Sequence, residues 1–456
     1  MVRYFFARHR LLASAAALVL ASSVSSVSRA ADETAASGQP PTVAEDPATS
    51  EPPAAEGGSE EAWSLAGMGL TGSVRGAVWS SNRRRDDTAD VVVGSFWLRL
   101  DRKLNDTFGV FAEGYALRED LLDQNFSVSR VREAYLDVRY NDWDFRLGRQ
   151  IVAWGRADRL NPTDNLTPRD FTLLAPEIDE DRFGADAAKA VLNFDDGYSV
   201  SGVWLADFAP HKLSLSSRTS ANLRHDVPDS NRQWAIKFDR NGGDVDWSVS
   251  YFDGFDLFPD VRMVGVAPSG PILRLEHNRL RVIGFDAATT IGSNRYAIEA
   301  AFDRTRDSGG DDPAVKNSFF YGVFGLEHDF GDTLSGIVQV YWRHVFNYVD
   351  PQGYADPGVR TLAIEQSIAY NQWREDQYGF AARLGRKWLN ETLEGEVALS
   401  SLLNGHGYQL RPRLLYAATD HLKLLCGFEY IRGSDRYPFG RNEKNTALFA
   451  EARYFF

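Results

Sequence analysis

The sequence predicts an all-β fold, a single transmembrane antiparallel β-barrel of about 18 strands. Three observations predict it. From Leu65 onward, runs of about ten residues alternate in polarity. The connectors between runs alternate between tight turns and longer loops. The chain is also strongly aromatic, with 11 Trp, 18 Tyr and 28 Phe, yet its mean hydropathy is only -0.34. A barrel that shows lipid every second residue and carries aromatic girdles at both interfaces has this composition. After Ala31 no apolar run reaches the roughly 18 residues a membrane helix needs, which excludes a helical membrane protein.

The chain divides into three parts. Arg3, Arg8 and Arg10 precede an apolar run from Leu11 to Val19, then small residues ending Ser28-Arg29-Ala30. This is the pattern of an export signal cleaved after Ala30 (residues 1–30). Residues 31–62 carry Pro40, Pro41, Pro47, Pro52 and Pro53, many acids and no Lys or Arg. Such a stretch buries too little apolar surface to offset its ordering entropy and is expected to be disordered. Its acids account for much of the formal charge of -13; that acidic balance argues against a nucleic-acid partner. Residues 63–456 remain for the barrel. The lone Cys426 excludes an internal disulfide and lies on an expected lipid face between Leu424 and Phe428.

Strand faces follow from alternation. Trp234, Ile236 and Phe238 oppose Gln233, Lys237 and Asp239; Val245, Trp247, Val249 and Tyr251 oppose Asp246, Ser248 and Ser250. Leu393, Val397 and Leu399 oppose Glu394 and Glu396, and Leu422, Leu424, Phe428 and Tyr430 oppose Lys423 and Glu429. Short Gly/Asn/Asp turns are expected near Lys103–Asp106, Asn141–Asp142, Asp195–Gly197, Asn241–Asp244, Gly292–Asn294, Gly331–Thr333, Leu389–Glu391 and Thr419–Asp420. Longer loops fall at about 152–185, 208–230, 255–277 and 347–374 among others. Strict alternation of the two connector types gives one rim of turns, one rim of loops and 18 strands. Sixteen is the alternative count, because residues 65–80 and 279–291 alternate least clearly. In the latter, Arg279 and Arg281 share a face with Ile283 and Phe285, so a bulge or a displaced boundary is expected. In the final strand Leu448, Ala450, Ala452, Tyr454 and Phe456 oppose Glu451 and Arg453. It resembles the signal, with Tyr454 and a terminal Phe456, that the barrel-assembly machinery of Gram-negative bacteria reads.

A barrel of this width is too wide for side chains to fill. The third outward loop, about Val152 to Ala185, is long enough to need a function. Its Asn161-Pro162-Thr163-Asp164 and Thr167-Pro168-Arg169-Asp170 are rigid turns flanked by capping side chains. The run Gly148-Arg149-Gln150-Ile151-Val152-Ala153-Trp154-Gly155, with Leu160-Asn-Pro-Thr-Asp-Asn165 and Pro168-Arg-Asp170, resembles a family of porin-like outer-membrane barrels. It is also similar to barrels grouped with alginate-type exopolysaccharide exporters. The match covers about residues 146–186. The resemblance implies an outer-membrane barrel; in general porins the third loop narrows the pore. Arg156, Asp158, Arg159, Asp164, Arg169 and Asp170 are then the constriction candidates. The other reading is a surface loop pinned by local Arg–Asp pairs.

On the expected inner wall, Arg343, Arg383, Lys387, Arg411, Arg413 and Lys423 form a basic stretch. Arg99, Arg139 and Arg146 are interleaved with Asp101, Asp137 and Asp144. A basic wall facing an acidic loop sets up a transverse field that filters by charge. Alternatively these are paired wall charges that hold the barrel together. The seven histidines beyond the leader lie outside any Gly-x-Ser-x-Gly or His-Glu-x-x-His setting. No metal cluster, cofactor or enzymatic role is expected. The expected function is a channel for passive or selective diffusion of small hydrophilic or anionic solutes. The alternatives are an export conduit for an anionic polysaccharide or a non-conducting structural or adhesion barrel. Implied partners are outer-membrane lipid and lipopolysaccharide, the barrel-assembly machinery and the solute; a homotrimer is left open.

Overall fold

The computed structural model describes residues 67–81, 90–121, 124–158, 160–174, 178–213, 222–229, 232–268 and 270–456. The leader, the acidic segment, Arg159 and residues 175–177 lie outside the described residues.

In chain order the strands begin with β1 (Leu70–Ser81), β2 (Asp90–Lys103), β3 (Phe108–Leu121), β4 (Gln124–Tyr140), β5 (Trp143–Gln150), β6 (Ala185–Asn193) and β7 (Tyr198–Leu205). There follow β8 (Leu223–Asp226), β9 (Gln233–Arg240), β10 (Asp246–Phe255), β11 (Asp260–Ala267), β12 (Gly270–Glu276), β13 (Arg279–Ile291) and β14 (Asn294–Arg304). The series ends with β15 (Phe319–Asp329), β16 (Leu334–Val345), β17 (Asp376–Trp388), β18 (Leu393–Leu402), β19 (Gly407–Ala417), β20 (Leu422–Gly433) and β21 (Ala447–Phe455). Eighteen strands form one sheet, while β8, β11 and β12 make a separate small one. β1 pairs antiparallel with both β2 and β21, with Ser73 opposite Phe455 and Ser81 opposite Ala447. The large sheet therefore closes on itself.

The count is eighteen, not sixteen, because both weakly alternating segments are full strands. β13 keeps an unbroken register against β10 and β14, so the expected bulge is absent. Arg279 and Arg281 point outward at its loop end, where both pair with Asp253, Arg281 at 2.9 Å. β1 reads weakly for a different reason: like its neighbour β2, it is apolar on both faces. Inside, Ala77, Trp79, Val91 and Val93 pack with Leu425 and Phe449, and Trp79 stacks on Phe449 at 4.6 Å.

The outer face is a belt of Val, Ile and Leu such as Ile236, Val249, Ile298, Val338, Val340, Val397 and Leu424, all exposed. Exposed Tyr140, Trp143, Phe194, Phe330, Trp388 and Tyr416 ring the turn rim; Trp204, Trp234, Phe302, Trp342 and Tyr378 ring the loop rim. An apolar band between two aromatic girdles is the surface a bilayer solvates. Among the described residues no helix is long and apolar enough to cross a membrane.

Turns at the predicted places close the strands on one rim. Gly197, at φ 75°, is required there, because a Cβ would lie 1.9 Å from the Asn241 carbonyl oxygen. The loop rim is less regular than expected: β18 and β19 are joined there by residues 403–406 alone, so connector length does not sort strictly. Above the loop rim the small sheet docks on α1 (Pro357–Ala369), where Gln366 donates to the Val261 carbonyl at 2.8 Å and the Val261 N–H donates to the Tyr370 hydroxyl at 2.8 Å.

Candidate functional site

The segment between β5 and β6 crosses the barrel. At its root Arg149 makes a double hydrogen bond to Asp186 at 2.9 and 2.8 Å, and the fully buried Gln150 donates to the Ala187 carbonyl at 3.0 Å. The chain then turns inward at Trp154-Gly155. Gly155 has φ 108°, and a Cβ there would sit 2.5 Å from the Glu299 carboxylate. Only glycine brings the backbone this close to the wall.

Glu299 of β14 is the far anchor. It accepts the backbone N–H groups of Ala157 (3.1 Å) and Thr163 (2.9 Å) and the Thr163 hydroxyl at 2.8 Å. Beside it Arg156 pairs with Asp286 of β13 and with Asp239 of β9 at 3.3 Å, and donates to the Asn241 side chain at 2.6 Å. Asp158 faces Arg383 of β17 at 3.7 Å. β17 is the fourteenth strand of the ring and β5 the fifth, nine places apart in a ring of eighteen. The loop therefore reaches the opposite wall.

The two Pro turns knit the rest of the loop to itself. The Asp164 N–H donates to the Asn161 carbonyl at 3.2 Å, closing a turn over Pro162. The Thr172 N–H donates to the Asp170 carboxylate at 3.1 Å. Arg182 pairs with Asp164 at 2.6 Å, Arg169 with Asp181 at 3.1 Å and with Asp164 at 3.7 Å, and Arg130 of β4 with Asp170 at 2.8 Å. The Arg169 N–H donates to His211 Nδ1 at 2.8 Å, which requires a neutral ring. Burial, with Arg169 beside it, holds the His211 pKa well below the usual range.

A third contact lies near β1 and β21. Glu180 pairs with Arg75 of β1 and with Arg453 of β21, the latter at 3.3 Å. Leu174 packs on the apolar patch inside β1 and β2. Between this part of the loop and the wall is a small cavity of about 30 Å³, lined by Arg75, Ser95, Trp97, Leu173, Glu180 and Glu451 among others.

The five described loop candidates, Arg156, Asp158, Asp164, Arg169 and Asp170, are thus together inside the barrel. The wall arginines are dispersed and mostly matched. Arg383 and Arg413 each reach Glu396 at 3.2 Å. Arg343 lies 4.0 Å over the Phe319 ring and donates to the Asn371 carbonyl at 3.1 Å. Arg411 lies 5.1 Å over Phe449, and Arg146 pairs with Asp137 at 2.7 Å. Arg139 is 70% exposed beside the 141–142 turn and reaches Asp144 at 3.6 Å. Tyr454 is exposed on the outer face, and Phe456 pairs with Gly72 across the closing seam at 3.0 and 3.1 Å. Sequence reasoning missed Glu299, Asp286, Asp239, Arg75 and Arg453 as partners of the loop. Their inward orientation was legible from alternation; which of many inward charges meets the loop was not. Among the described residues no group of three or more His, Cys, Asp or Glu is arranged to hold a metal.

No protein-family model matches the chain, and no curated protein matches it. Solved structures do. The outer-membrane protein OpdK of Pseudomonas aeruginosa aligns at 11% identity over 85% of this chain and 98% of its own, with a TM-score of 0.52. OccK5 (OpdH) of the same organism aligns at 11% identity over 85% and 97%, with a TM-score of 0.50. At this identity the likeness is one of fold: this chain has a porin-type 18-stranded barrel.

Proposed function

We propose that this chain is an outer-membrane channel for diffusion of small hydrophilic solutes, narrowed by the inward loop of residues 151–184. One observation carries this reading: the loop reaches the wall opposite its root at Arg383 and is clamped to β14 by Glu299, while a small space remains beside it against β1, β2 and β21. There Glu180 on the loop faces Arg75 and Arg453 on the wall. Charges of both signs gathered beside this space orient dipolar solutes and filter by charge. Arg156, Asp158, Asp164, Arg169 and Asp170 hold the loop in its lumenal position. The wall set Arg146, Arg343, Arg383, Arg411 and Arg413 acts through its pairs and ring contacts, stiffening the barrel, and Arg139 sits at the turn-rim mouth.

Single-channel conductance of refolded protein in a planar bilayer tests this. Discrete steps are expected, and deleting Leu160–Pro176 raises their size. Folded protein that is silent both before and after the deletion sinks the channel. The second reading, a closed structural barrel, draws on the apolar seating of Ala157 and Leu160 among Val323, Tyr341, Ala381 and Ala398. It gives silence from the intact protein.

A further inference from the structure

Around the apolar seat of Ala157 and Leu160 the wall also carries buried polar side chains. Gln339 and Tyr341 of β16, Ser400 of β18 and Gln409 of β19 are buried on the inner face, and Trp373 packs with Tyr341. Gln339 stands opposite Ala381, Ala381 opposite Ser400, and Ser400 opposite Gln409. The row crosses three strand spacings, about 14 Å at ~4.8 Å each. Exposure is 1% for Gln339 and Gln409, 5% for Ser400, 6% for Trp373 and 8% for Tyr341. Yet both amide atoms of Gln339, the Ser400 Oγ, the Gln409 Oε1, the Tyr341 hydroxyl and the Trp373 Nε1 have no hydrogen-bond partner among the described residues.

An unpaired buried polar group is destabilising, and folded proteins keep few. So many in one patch mark a surface built to bond something other than this chain. Ala157 and Leu160 offer only apolar contact. The neighbouring charges are already engaged: Arg383 and Arg413 on Glu396, and Glu429 on the Gln409 amide nitrogen. What remains is neutral donors and acceptors beside aromatic faces, with Tyr321 set edge-on to Tyr341 at 6.0 Å between centroids.

We propose that Gln339, Ser400, Gln409, Tyr341 and Trp373 form a subsite for a neutral polyhydroxylated solute, a sugar of one to three rings, uncovered when Ala157 and Leu160 lift from the wall. The assignment rests on the channel reading. A Gln amide offers a donor and an acceptor to vicinal hydroxyls, the serine hydroxyl serves as either, and the indole N–H donates. The apolar face of a sugar ring stacks on an aromatic side chain. A sugar acid finds no uncommitted cation here and meets Glu429.

The test compares KCl conductance with sucrose uptake by swelling of proteoliposomes. The double variant Gln339→Leu/Ser400→Ala removes the row without adding charge, and heat-modifiable gel mobility verifies folding. Sucrose uptake is expected to fall about tenfold, the worth of one or two hydrogen bonds, with KCl steps unchanged. Leu160→Ala, which loosens the cover, is expected to raise sucrose uptake. Unchanged sucrose uptake in the double variant with normal KCl steps overturns the subsite alone. Silence in KCl from folded protein overturns the channel and the subsite together.

Discussion

The inward loop is held by two dissimilar halves. Residues 155–163 are tied to the distant wall: Glu299 takes two backbone N–H groups and a hydroxyl, and Arg156 bridges Asp286 and Asp239. Residues 164–174 and 178–182 are tied to one another through Arg169, Arg182, Asp164 and Asp181, with wall contacts at Asp170 and Glu180. The self-knit half has a shape of its own, set by Pro turns and local pairs. The wall-tied half has only the turn over Pro162 at its end and takes its position from the carboxylates of Asp286 and Glu299, 130 or more residues away. A loop built this way is a rigid piece fixed in the lumen by a separable clamp.

Breaking the clamp should matter most. Glu299→Ala strips two buried N–H groups and a hydroxyl of their acceptor, a cost of about 3 kcal/mol or more. Conductance is expected to rise severalfold, with faster hydrogen exchange at Ala157 and Thr163; an unchanged conductance would mean the clamp does not hold the loop. In the self-knit half, Asp164→Ala removes one member of a network in which Arg169 keeps Asp181. The expected loss is about 1–3 kcal/mol of local stability, read by exchange at residues 164–172, with conductance little changed. A conductance rise matching that of Glu299→Ala would erase the distinction between the halves.

Acid should loosen the self-knit half through its tie to the outer loops. His277 donates from Nδ1 to the Asp256 carbonyl at 2.7 Å and shares one proton with His225 across 2.9 Å. Burial chiefly, with His225 and Lys316 nearby and Asp260 opposing, lowers its pKa from 6.5 to about 4. Between these values the unfolded segment binds a proton that the folded one refuses. Stability is therefore full above pH 6.5 and falls by about 1.4 kcal/mol per unit as pH drops toward 4. His211, also held low by burial, must stay neutral to accept the Arg169 N–H. Exchange at 208–211 and 256–277 should rise between pH 6.5 and 4.5; flat protection would refute the coupling.

Charge at the opening is a finer test. Arg453→Gln should shift the reversal potential toward cations by some millivolts and Glu180→Gln toward anions; no shift in either places the filter elsewhere. The smallest effect belongs to Arg139→Ala. Its exposed pair with Asp144 is worth no more than about 1 kcal/mol, and both melting and conductance should be unmoved.

Much of the architecture was legible in the residues. The faces of β9, β10, β18, β20 and β21 match the alternation, because a strand's two faces meet different solvents and period two records that locally. The turns at 141–142, 195–197 and 389–391 were legible for the same reason, with Asn141, Asp196 and Leu389 to Glu391 at positive φ. The reading faltered where a strand is apolar on both faces, as in β1, and where charges lie beyond the belt, as at Arg279.

The site was half legible. The two Pro turns marked the loop as shaped, and the resemblance over about residues 146–186 drew attention to it. Neither said which wall it would meet. By itself the sequence determined the barrel, the rims, the outward belt and the stiffness of the loop, since each depends on neighbours along the chain or one strand away. Only the tertiary structure decided that the loop lies inside, that Glu299 clamps it and that Arg75 and Arg453 face Glu180. Those contacts join residues over a hundred positions apart, and many inward charges of the same kind compete for them until closure of the sheet sets the distances.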